Sequence, residues 1–254
     1  ASNSPCINAS GYQTWMEAGV DLDSQPRVGG GQADMGVDEY TRFFYVTTAG
    51  SDANPGTQAN PWQTIRYAIT NSAVTNGDTI LVGEGLYTNP VIFNTSARIG
   101  LNLIGGHNTN DWSWAPATHP TIIQPATNTI DAVTVSTQPQ SLKGFTITGG
   151  RYGIYGNAAN YNRMYVLQCI ISNNASDGIQ LNGSKQAIFC VNSLVVKNGR
   201  DGIAFYTDNN TFGSPIYNCT IADNARNGIY DNYLTVGLEI RNTVIARNGW
   251  YGLY

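Results

Sequence analysis

Apolar and glycine positions recur along residues 142–254 with a period of about 25 residues. Each repeat contains a Gly-Ile or Gly-Leu pair, and the glycines are Gly153, Gly178, Gly202, Gly228 and Gly252. An aliphatic residue stands six or seven positions before each glycine: Ile147, Ile171, Val195, Ile221 and Ile245. Self-similarity at such a period indicates one supersecondary unit per repeat, stacked on its neighbours.

Three apolar ladders appear inside each repeat. One contains the aliphatic residues above and a second lies five residues earlier, at Val166, Cys190, Ile216 and Ile240. The third follows the glycines, at Ile154, Ile179, Ile203, Ile229 and Leu253. Period-two spacing around these positions predicts three short strands per coil, whereas helical repeats need some 33–47 residues and a 3.6 period. We therefore predict an all-β fold, a right-handed parallel β-helix.

Amide side chains also recur at equal positions of the repeats. The first row contains Asn174, Asn198, Asn224 and Asn248, and the second contains Gln168, Asn192, Asn218 and Asn242. Such rows serve either as ligand or metal sites, or as ladders that cap turn backbone and hold the register. We favour the structural interpretation.

Residues 1–40 differ from the repeats. The motif NSPCINA at 3–9 and the stretch DLDSQPRVGGGQADMGVDEY at 21–40 resemble the C-terminal tail of secreted bacterial parallel β-helix proteins of the pectate-lyase-like superfamily. The matching residues are Ser4, Pro5, Cys6, Ile7, Asp21, Asp23, Pro26, Arg27, Asp34, Gly36 and Glu39. Here the motif stands at the opposite end of the chain. We predict that 1–40 is an extension and that 41–254 forms the β-helix.

Residues 41–90 resemble the N-terminal cap of the same superfamily, with a strand, a GSDANPGT loop, a helix and a second strand in that order. Pro61 is expected to begin the helix, which places Ile65, Ala68 and Ile69 on one face. A helix laid over the first coil would cover its open strand edges.

Composition limits the location and the partners. Charged residues make up 12% of the chain and the net charge is −4, so no basic surface indicates nucleic acid. No apolar run approaches the 18–20 residues or so that membrane insertion needs. Low lysine content and several Asn-X-Ser/Thr sequons predict an extracellular or cell-surface protein. The candidate glycosylation sites are Asn8, Asn94, Asn174, Asn182, Asn209 and Asn218.

The four cysteines, Cys6, Cys169, Cys190 and Cys219, lack metal-ligand spacing. Cys169 and Cys219 occupy equivalent positions two coils apart, about 10 Å at the usual strand spacing, which is too far for a disulfide. We expect these residues to act as small buried hydrophobes.

Outward positions around the aliphatic ladder are small and apolar, so the pattern predicts no catalytic residue and no resident cofactor. Neither a base beside a carboxylate cluster, as a polysaccharide lyase needs, nor a paired-carboxylate row is found there. Asp177 and Asp201 stand one coil apart and could hold Ca²⁺ if further oxygens converge. We favour solvated turn residues.

The segment 108–120 predicts a protruding loop with aromatic and histidine side chains at its base. His107, Trp112, Trp114 and His119 are candidates for glycan binding. The alternative, which we favour, is that the tryptophans pack on the solenoid wall.

Three functions remain, and we favour the first; the third is an adhesin that binds a host or mineral surface through the loops 108–120 and 206–214. In the first, the protein is a structural subunit that assembles head to tail into a filament, sheath or array, because residues resembling a final coil precede the cap. Its assembly residues would be Ser4, Pro5, Cys6, Ile7, Trp250, Tyr251, Leu253 and Tyr254. A chain cut from a tandem array would show the same order. In the second, the protein binds a polysaccharide or acts as a lyase, as members of the superfamily do.

Overall fold

The computed structural model describes residues 42–94, 100–136, 140–157, 162–183, 186–206, 213–232 and 237–254. These ranges form twenty-one short strands and one helix, α1 (Ile65–Thr70), all labelled in chain order. Every strand pairs in parallel with strands of neighbouring coils, in three sheets. The predicted all-β parallel solenoid is confirmed.

Each sheet takes one strand from successive coils. The eight-stranded sheet contains β1 (Phe43–Val46), β2 (Thr79–Gly83), β5 (Leu101–His107), β8 (Gln140–Lys143), β11 (Asn162–Leu167), β14 (Gln186–Val191), β17 (Ser214–Tyr217) and β20 (Leu238–Arg241). The seven-stranded sheet contains β3 (Gly85–Tyr87), β6 (Thr121–Ile123), β9 (Phe145–Thr148), β12 (Ile170–Ser172), β15 (Leu194–Val196), β18 (Thr220–Ala222) and β21 (Val244–Ala246). The six-stranded sheet contains β4 (Val91–Phe93), β7 (Val133–Val135), β10 (Ile154–Gly156), β13 (Ile179–Asn182), β16 (Ile203–Tyr206) and β19 (Ile229–Asp231).

The strand register reproduces the apolar ladders read from the repeats. Ile171 pairs with Ile147 below it and with Val195 above it, and the ladder continues through Ile221 to Ile245. The first four of these side chains are fully buried. The interior is therefore a column of stacked aliphatic side chains, one set per coil, and the positions between them face outward.

The second amide row forms a corner of the solenoid. Gln168, Asn192, Asn218 and Asn242 have φ values between 48° and 54°, a left-handed conformation that asparagine tolerates well. The main-chain N–H of Asn192 donates to the carbonyl of Tyr217 in the next coil at 3.0 Å, and Gln168 and Asn218 bond in the same way. These residues thus serve the turn and the register through their backbone.

The corner also carries a row of small donors at Cys169, Ser193, Cys219 and Thr243. The Ser193 hydroxyl accepts the N–H of Cys169 at 3.1 Å and donates to a carbonyl of its own coil at 2.9 Å. The Cys219 thiol likewise donates to the carbonyl of Cys190 at 3.3 Å. The cysteines of this row are buried as expected, and they also act as hydrogen-bond donors.

Helix α1 begins four residues later than expected. Trp62 is paired with Val46 in a parallel bridge, and its N–H donates to the carbonyl of Tyr45 at 2.9 Å, so Pro61 lies in an extended segment. Thr64 then caps the helix by accepting the N–H of Tyr67. Ile65, Ala68 and Ile69 form the buried face, against β1 and β4. With six residues α1 cannot cross a membrane, and the described ranges contain no helix that could.

Candidate functional site

The first amide row forms a closed hydrogen-bonded ladder inside the turn before the six-stranded sheet. The Asn198 side-chain N–H group donates to Asn224 Oδ1 at 2.9 Å and to the carbonyl of Ile171 at 3.3 Å. Its own Oδ1 accepts from the Asn174 side chain at 3.0 Å. Asn224 continues the ladder to Asn248 in the same geometry. The side-chain amides of Asn174, Asn198 and Asn224 are buried and hydrogen-bonded to one another, so they are not accessible to a ligand.

Asp177 and Asp201 form a second buried row, and the expectation that they are solvated turn residues is wrong. Both side chains are fully buried. Asp177 Oδ1 accepts the N–H of Asp201 at 2.9 Å, and Asp201 Oδ1 accepts from both the backbone and the side chain of Asn227 at 2.8 Å. The row therefore links coils as the asparagine ladder does. Sequence reasoning missed this because a carboxylate at a turn is usually exposed.

The environment of Asp177 is unfavourable for charge. Burial raises the pKa of its carboxyl to about 6, and the neighbouring Asp201 adds to the rise. Arg200 offsets part of this cost from 3.8 Å. The described ranges contain no group of three or more His, Cys, Asp or Glu side chains that could hold a metal ion.

The loop 108–120 packs its aromatic side chains on the solenoid wall. Trp112 lies edge-on to Tyr45, with the ring centroids 4.7 Å apart. Trp114 donates from its indole N–H to the carbonyl of Gly105 at 2.9 Å, and the Lys143 ammonium lies 4.5 Å from its ring centroid. The loop is thus held by its tryptophans, and Trp114 keeps about a third of its surface exposed.

The two histidines of this region have different surroundings. His107 is buried, which lowers its pKa, and its Nδ1 lies 3.2 Å from the carbonyl of Ile104. His119 lies at the far end of the loop, where its Nδ1 is 2.8 Å from the Glu84 carboxylate. The four candidate residues therefore do not form one cluster: His107, Trp112 and Trp114 pack on the solenoid wall, and His119 contacts Glu84 at the far end of the loop.

A different surface carries partly exposed aromatic and basic side chains. We name it the aromatic–basic face. It consists of seven outward side chains of the eight-stranded sheet between β8 and β20: Lys143, Arg163, Tyr165, Phe189, Tyr217, Glu239 and Arg241. The other outward positions there are Ser141, Leu167, Val191 and Pro215. In β8, β14 and β17 outward positions alternate with buried ones, and the register of β20 with β17 places its two residues on the same side of the sheet.

Contacts along the aromatic–basic face run from coil to coil. Tyr165 and Phe189 are register partners, and their ring centroids lie 4.9 Å apart. The Arg163 guanidinium lies 5.9 Å from the Phe189 centroid. Further along, Arg241 lies 5.7 Å from the ring of Tyr217. The face therefore carries two groups of aromatic rings with a guanidinium neighbour, and Lys143 lies over Trp114 nearer the loop.

Among the residues that the structure describes on this face, Glu239 supplies the carboxylate. It accepts a hydrogen bond from the Tyr217 hydroxyl and forms an ion pair with Arg241. These interactions lower the pKa of Glu239, and the hydrogen bond to the carboxylate raises that of Tyr217. Sequence reasoning missed this face because it examined the outward positions of the seven-stranded sheet, whose side chains are small. The outward Tyr, Phe and Arg of the strand before each corner were the available signal.

A cavity of about 490 Å³ lies at the last described coil. We name it the end pocket. Its lining residues are Arg226, Asn227, Tyr230, Trp250, Tyr251 and Tyr254. Tyr230 and Tyr254 stack with centroids 5.4 Å apart, and Arg226 lies over the Trp250 ring at 4.1 Å. Leu253, beside it, pairs with Ile229 and leaves half its surface exposed.

The remaining candidate residues are dispersed. Ser4, Pro5, Cys6, Ile7, Asn8 and Asn209 lie outside the described residues. Asn94 and Asn218 are exposed, and Asn182 is half-buried, with its amide donating to the Tyr155 hydroxyl at 3.1 Å. Asn174 is buried in the asparagine ladder, which leaves no space for a glycan on its amide nitrogen.

The chain belongs to the right handed beta helix region family, whose model matches residues 128–254. This membership agrees with the predicted right-handed solenoid. No curated protein sequence matches the chain.

Among solved structures, the chain is similar to pectate lyase Pel9A, with a TM-score of 0.60 and 18% identity over 82% of the chain. It is also similar to a rhamnogalacturonan lyase, with a TM-score of 0.50 and 17% identity over 83% of the chain. The chain spans 54% and 62% of the length of these two proteins. At such identities the likeness concerns the fold.

Proposed function

We propose that the protein is an extracellular polysaccharide-binding β-helix and that the aromatic–basic face is its binding surface. The observation that carries the proposal is the two groups of aromatic and guanidinium side chains on one sheet, Arg163 with Tyr165 and Phe189, and Tyr217 with Arg241. Support also comes from the two similar structures, both of which are polysaccharide lyases by name. An extracellular location follows from the substrate, since such polymers lie outside cells.

The chemistry of the face suits an extended sugar polymer. Aromatic rings offer apolar planes to the C–H faces of pyranose rings, while guanidinium groups donate paired hydrogen bonds to hydroxyl or carboxylate oxygens. Successive coils repeat at about 4.8 Å, so contacts on neighbouring strands can engage successive parts of one chain. The face has three cations and one carboxylate, although acidic residues outnumber basic ones 17 to 13 in the whole chain. This local charge favours acidic polymers.

Binding without cleavage is the activity that the face supports best. Proton abstraction next to a uronate needs a base whose pKa is brought near the working pH, and groups that neutralise the sugar carboxylate. On the aromatic–basic face the one carboxylate is already paired with Arg241 and Tyr217. The positive charge of Lys143 and Arg163 on the same face suits an anionic chain.

We expect Phe189→Ala to weaken binding of pectate or rhamnogalacturonan about tenfold, the usual effect of removing one stacked anchor from such a surface. Calorimetric titration of the full chain measures this, with dextran as a neutral polymer. The matched control is Ile170→Ala, an exposed apolar residue on the seven-stranded sheet. Absorbance of unsaturated sugar products in the same samples reports any lyase activity.

Equal affinities of wild type and Phe189→Ala would contradict the assignment of the face. Failure of the wild type to bind either acidic polymer would contradict the function. Accumulation of unsaturated product would show that the protein is a lyase and would contradict binding without cleavage.

A second candidate function is assembly by addition of a coil. Its support is the motif NSPCINA at 3–9, which resembles the last coil of such solenoids. We propose that residues 3–9 of a second copy, through Pro5, Cys6 and Ile7, add a strand to the coil that contains Ile240 and Ile245, beside the end pocket. At the other end, we propose that α1 covers the first coil.

Assembly predicts that the full chain forms filaments visible by electron microscopy. We expect Ile7→Asp to abolish them, because it places a charge on the apolar column. Asn8→Asp, one position later and facing the opposite side in a strand, should leave them intact. Monomers of the wild type at high concentration by light scattering would exclude this candidate.

A further inference from the structure

Two buried sulfur atoms lie in contact inside the solenoid. Cys190 projects inward from β14, and Cys219 lies one coil later, at the corner between β17 and β18. Their Sγ atoms are 3.7 Å apart. Both residues are buried, and both are free thiols in this structure.

We propose that Cys190 and Cys219 form a disulfide bond when the chain folds in an oxidising compartment, a setting that rests on the proposed extracellular location. The bond joins two consecutive coils through the core. Strand pairing already sets the register of these two coils, and a covalent link between them would fix that register even where the hydrogen bonds open.

The required movement is small. An S–S bond is about 2 Å long, and the sulfur atoms must approach from van der Waals contact. The proposal requires the two side chains to rotate toward each other. This rotation costs the weak hydrogen bonds from the Cys219 thiol to the carbonyls of Cys190 and Tyr217. The loop that the bond closes has about thirty residues, a length at which cross-linking stabilises a protein substantially.

The chemistry is thiol–disulfide exchange with a small-molecule disulfide such as oxidised glutathione. One cysteine thiolate attacks the small disulfide and displaces one thiolate, forming a mixed disulfide. The second cysteine then attacks the protein sulfur of that mixed disulfide and displaces the other thiolate. Two protein thiols are oxidised, one small disulfide is reduced to two thiols, and these take up the two protons.

The reaction belongs to folding and precedes closure of the core. The contact with Cys219 and burial raise the pKa of Cys190, so the thiolate is scarce once the coils have stacked. Burial also excludes the oxidant. Native protein prepared under reducing conditions is therefore expected to oxidise slowly, whereas refolding in glutathione buffer forms the bond.

The equivalent residue Cys169 provides an internal comparison. It occupies the same corner two coils earlier, and its thiol points to the carbonyls of Leu142 and Leu167. It should remain a free thiol under the same conditions. The proposal is thus specific to one pair of sulfur atoms.

Peptide mapping by mass spectrometry tests the proposal on the full chain refolded with reduced and oxidised glutathione. We expect a linked pair of peptides containing Cys190 and Cys219, two hydrogens lighter than the sum of the free peptides. Reduction should lower the thermal midpoint by about 10 °C, the order expected for a loop and a chain of this size.

Two serine variants complete the test. Cys219→Ser keeps a corner donor, as Ser193 does, and should give a midpoint that does not respond to reductant. Cys169→Ser should respond as the wild type does. Recovery of Cys190 and Cys219 as alkylated thiols after oxidative refolding would overturn the proposal, and so would linkage of either residue to Cys6 or Cys169.

Discussion

Replacing Gly202 by alanine is expected to lower the free energy of unfolding by about 3 kcal/mol, whereas replacing Gly252 should cost less than about 1 kcal/mol. A Cβ atom on Gly202 would lie 2.5 Å from the carbonyl oxygen of Gly228 and 2.8 Å from the amide nitrogen of Asn224. Neither neighbour can move without breaking the strand pairing or the asparagine ladder. The same atom on Gly252 would meet only a methyl group of Ile245, at 3.5 Å.

Chemical denaturation of the two variants measures the difference directly. Both substitutions remove the same backbone freedom from the unfolded chain, so that contribution cancels in the comparison. Equal losses for both variants would show that the repeated glycine is a matter of turn conformation and not of space. The experiment therefore tests why the Gly-Ile pair recurs in every coil.

Raising the pH from about 4 to 7 is expected to reduce the free energy of unfolding by up to about 3 kcal/mol through Asp177 alone. Its pKa is about 6 in the folded protein against an ordinary value of 3.8, so the folded chain binds the proton more tightly. The contribution of Asp177 to the free energy of unfolding is therefore fully present below about pH 4 and is lost as the pH rises through 6. Carboxylates such as Asp223, whose pKa the Arg247 guanidinium lowers, act oppositely and only at more acidic pH.

Asp201→Asn isolates this effect. An asparagine at 201 can donate to Asp177 Oδ1 as Asn227 donates to Asp201 one coil later, and it removes the repulsion between the two carboxylates. Thermal midpoints of the variant should exceed those of the wild type at pH 7.5 and converge with them at pH 4. The exposed control Asp223→Asn, which removes the ion pair with Arg247, should lower the midpoint slightly at neutral pH. A wild-type stability that is flat between pH 4 and 7 would contradict the burial of a charged Asp177.

The fold follows from the sequence because the repeats constrain it many times over. A ladder such as Ile171, Val195 and Ile221 must point inward in every coil, and one residue of slippage would expose all of its members. The start of α1 was predicted wrongly because Pro61 favours a helix locally, while the strand pairing of Trp62 is a long-range contact that no local pattern contains.

The candidate site was less accessible to sequence reasoning. Whether Asp177 is exposed depends on the arginine side chains that cover it, and the contact of Cys190 with Cys219 depends on the corner between two strands. The aromatic–basic face could have been found from period two alone, since Tyr165, Phe189 and Tyr217 all alternate with buried residues. The sequence pattern does not indicate which of the three outer faces of the solenoid binds a ligand.

In the coils from Ile171 onward, the number of residues per coil changes at one corner only. From Ile171 onward, two residues always separate the strand of the eight-stranded sheet from that of the seven-stranded sheet, and six residues lead from there to the six-stranded sheet. The return to the eight-stranded sheet takes eleven residues from Ile179 to Cys190, thirteen from Ile203 to Ile216 and eleven from Ile229 to Ile240, counted between positions in register. Added residues there disturb neither ladder, and they enter beside the aromatic–basic face. This corner is therefore the position at which new recognition loops can be grafted onto the solenoid while its stacking is preserved.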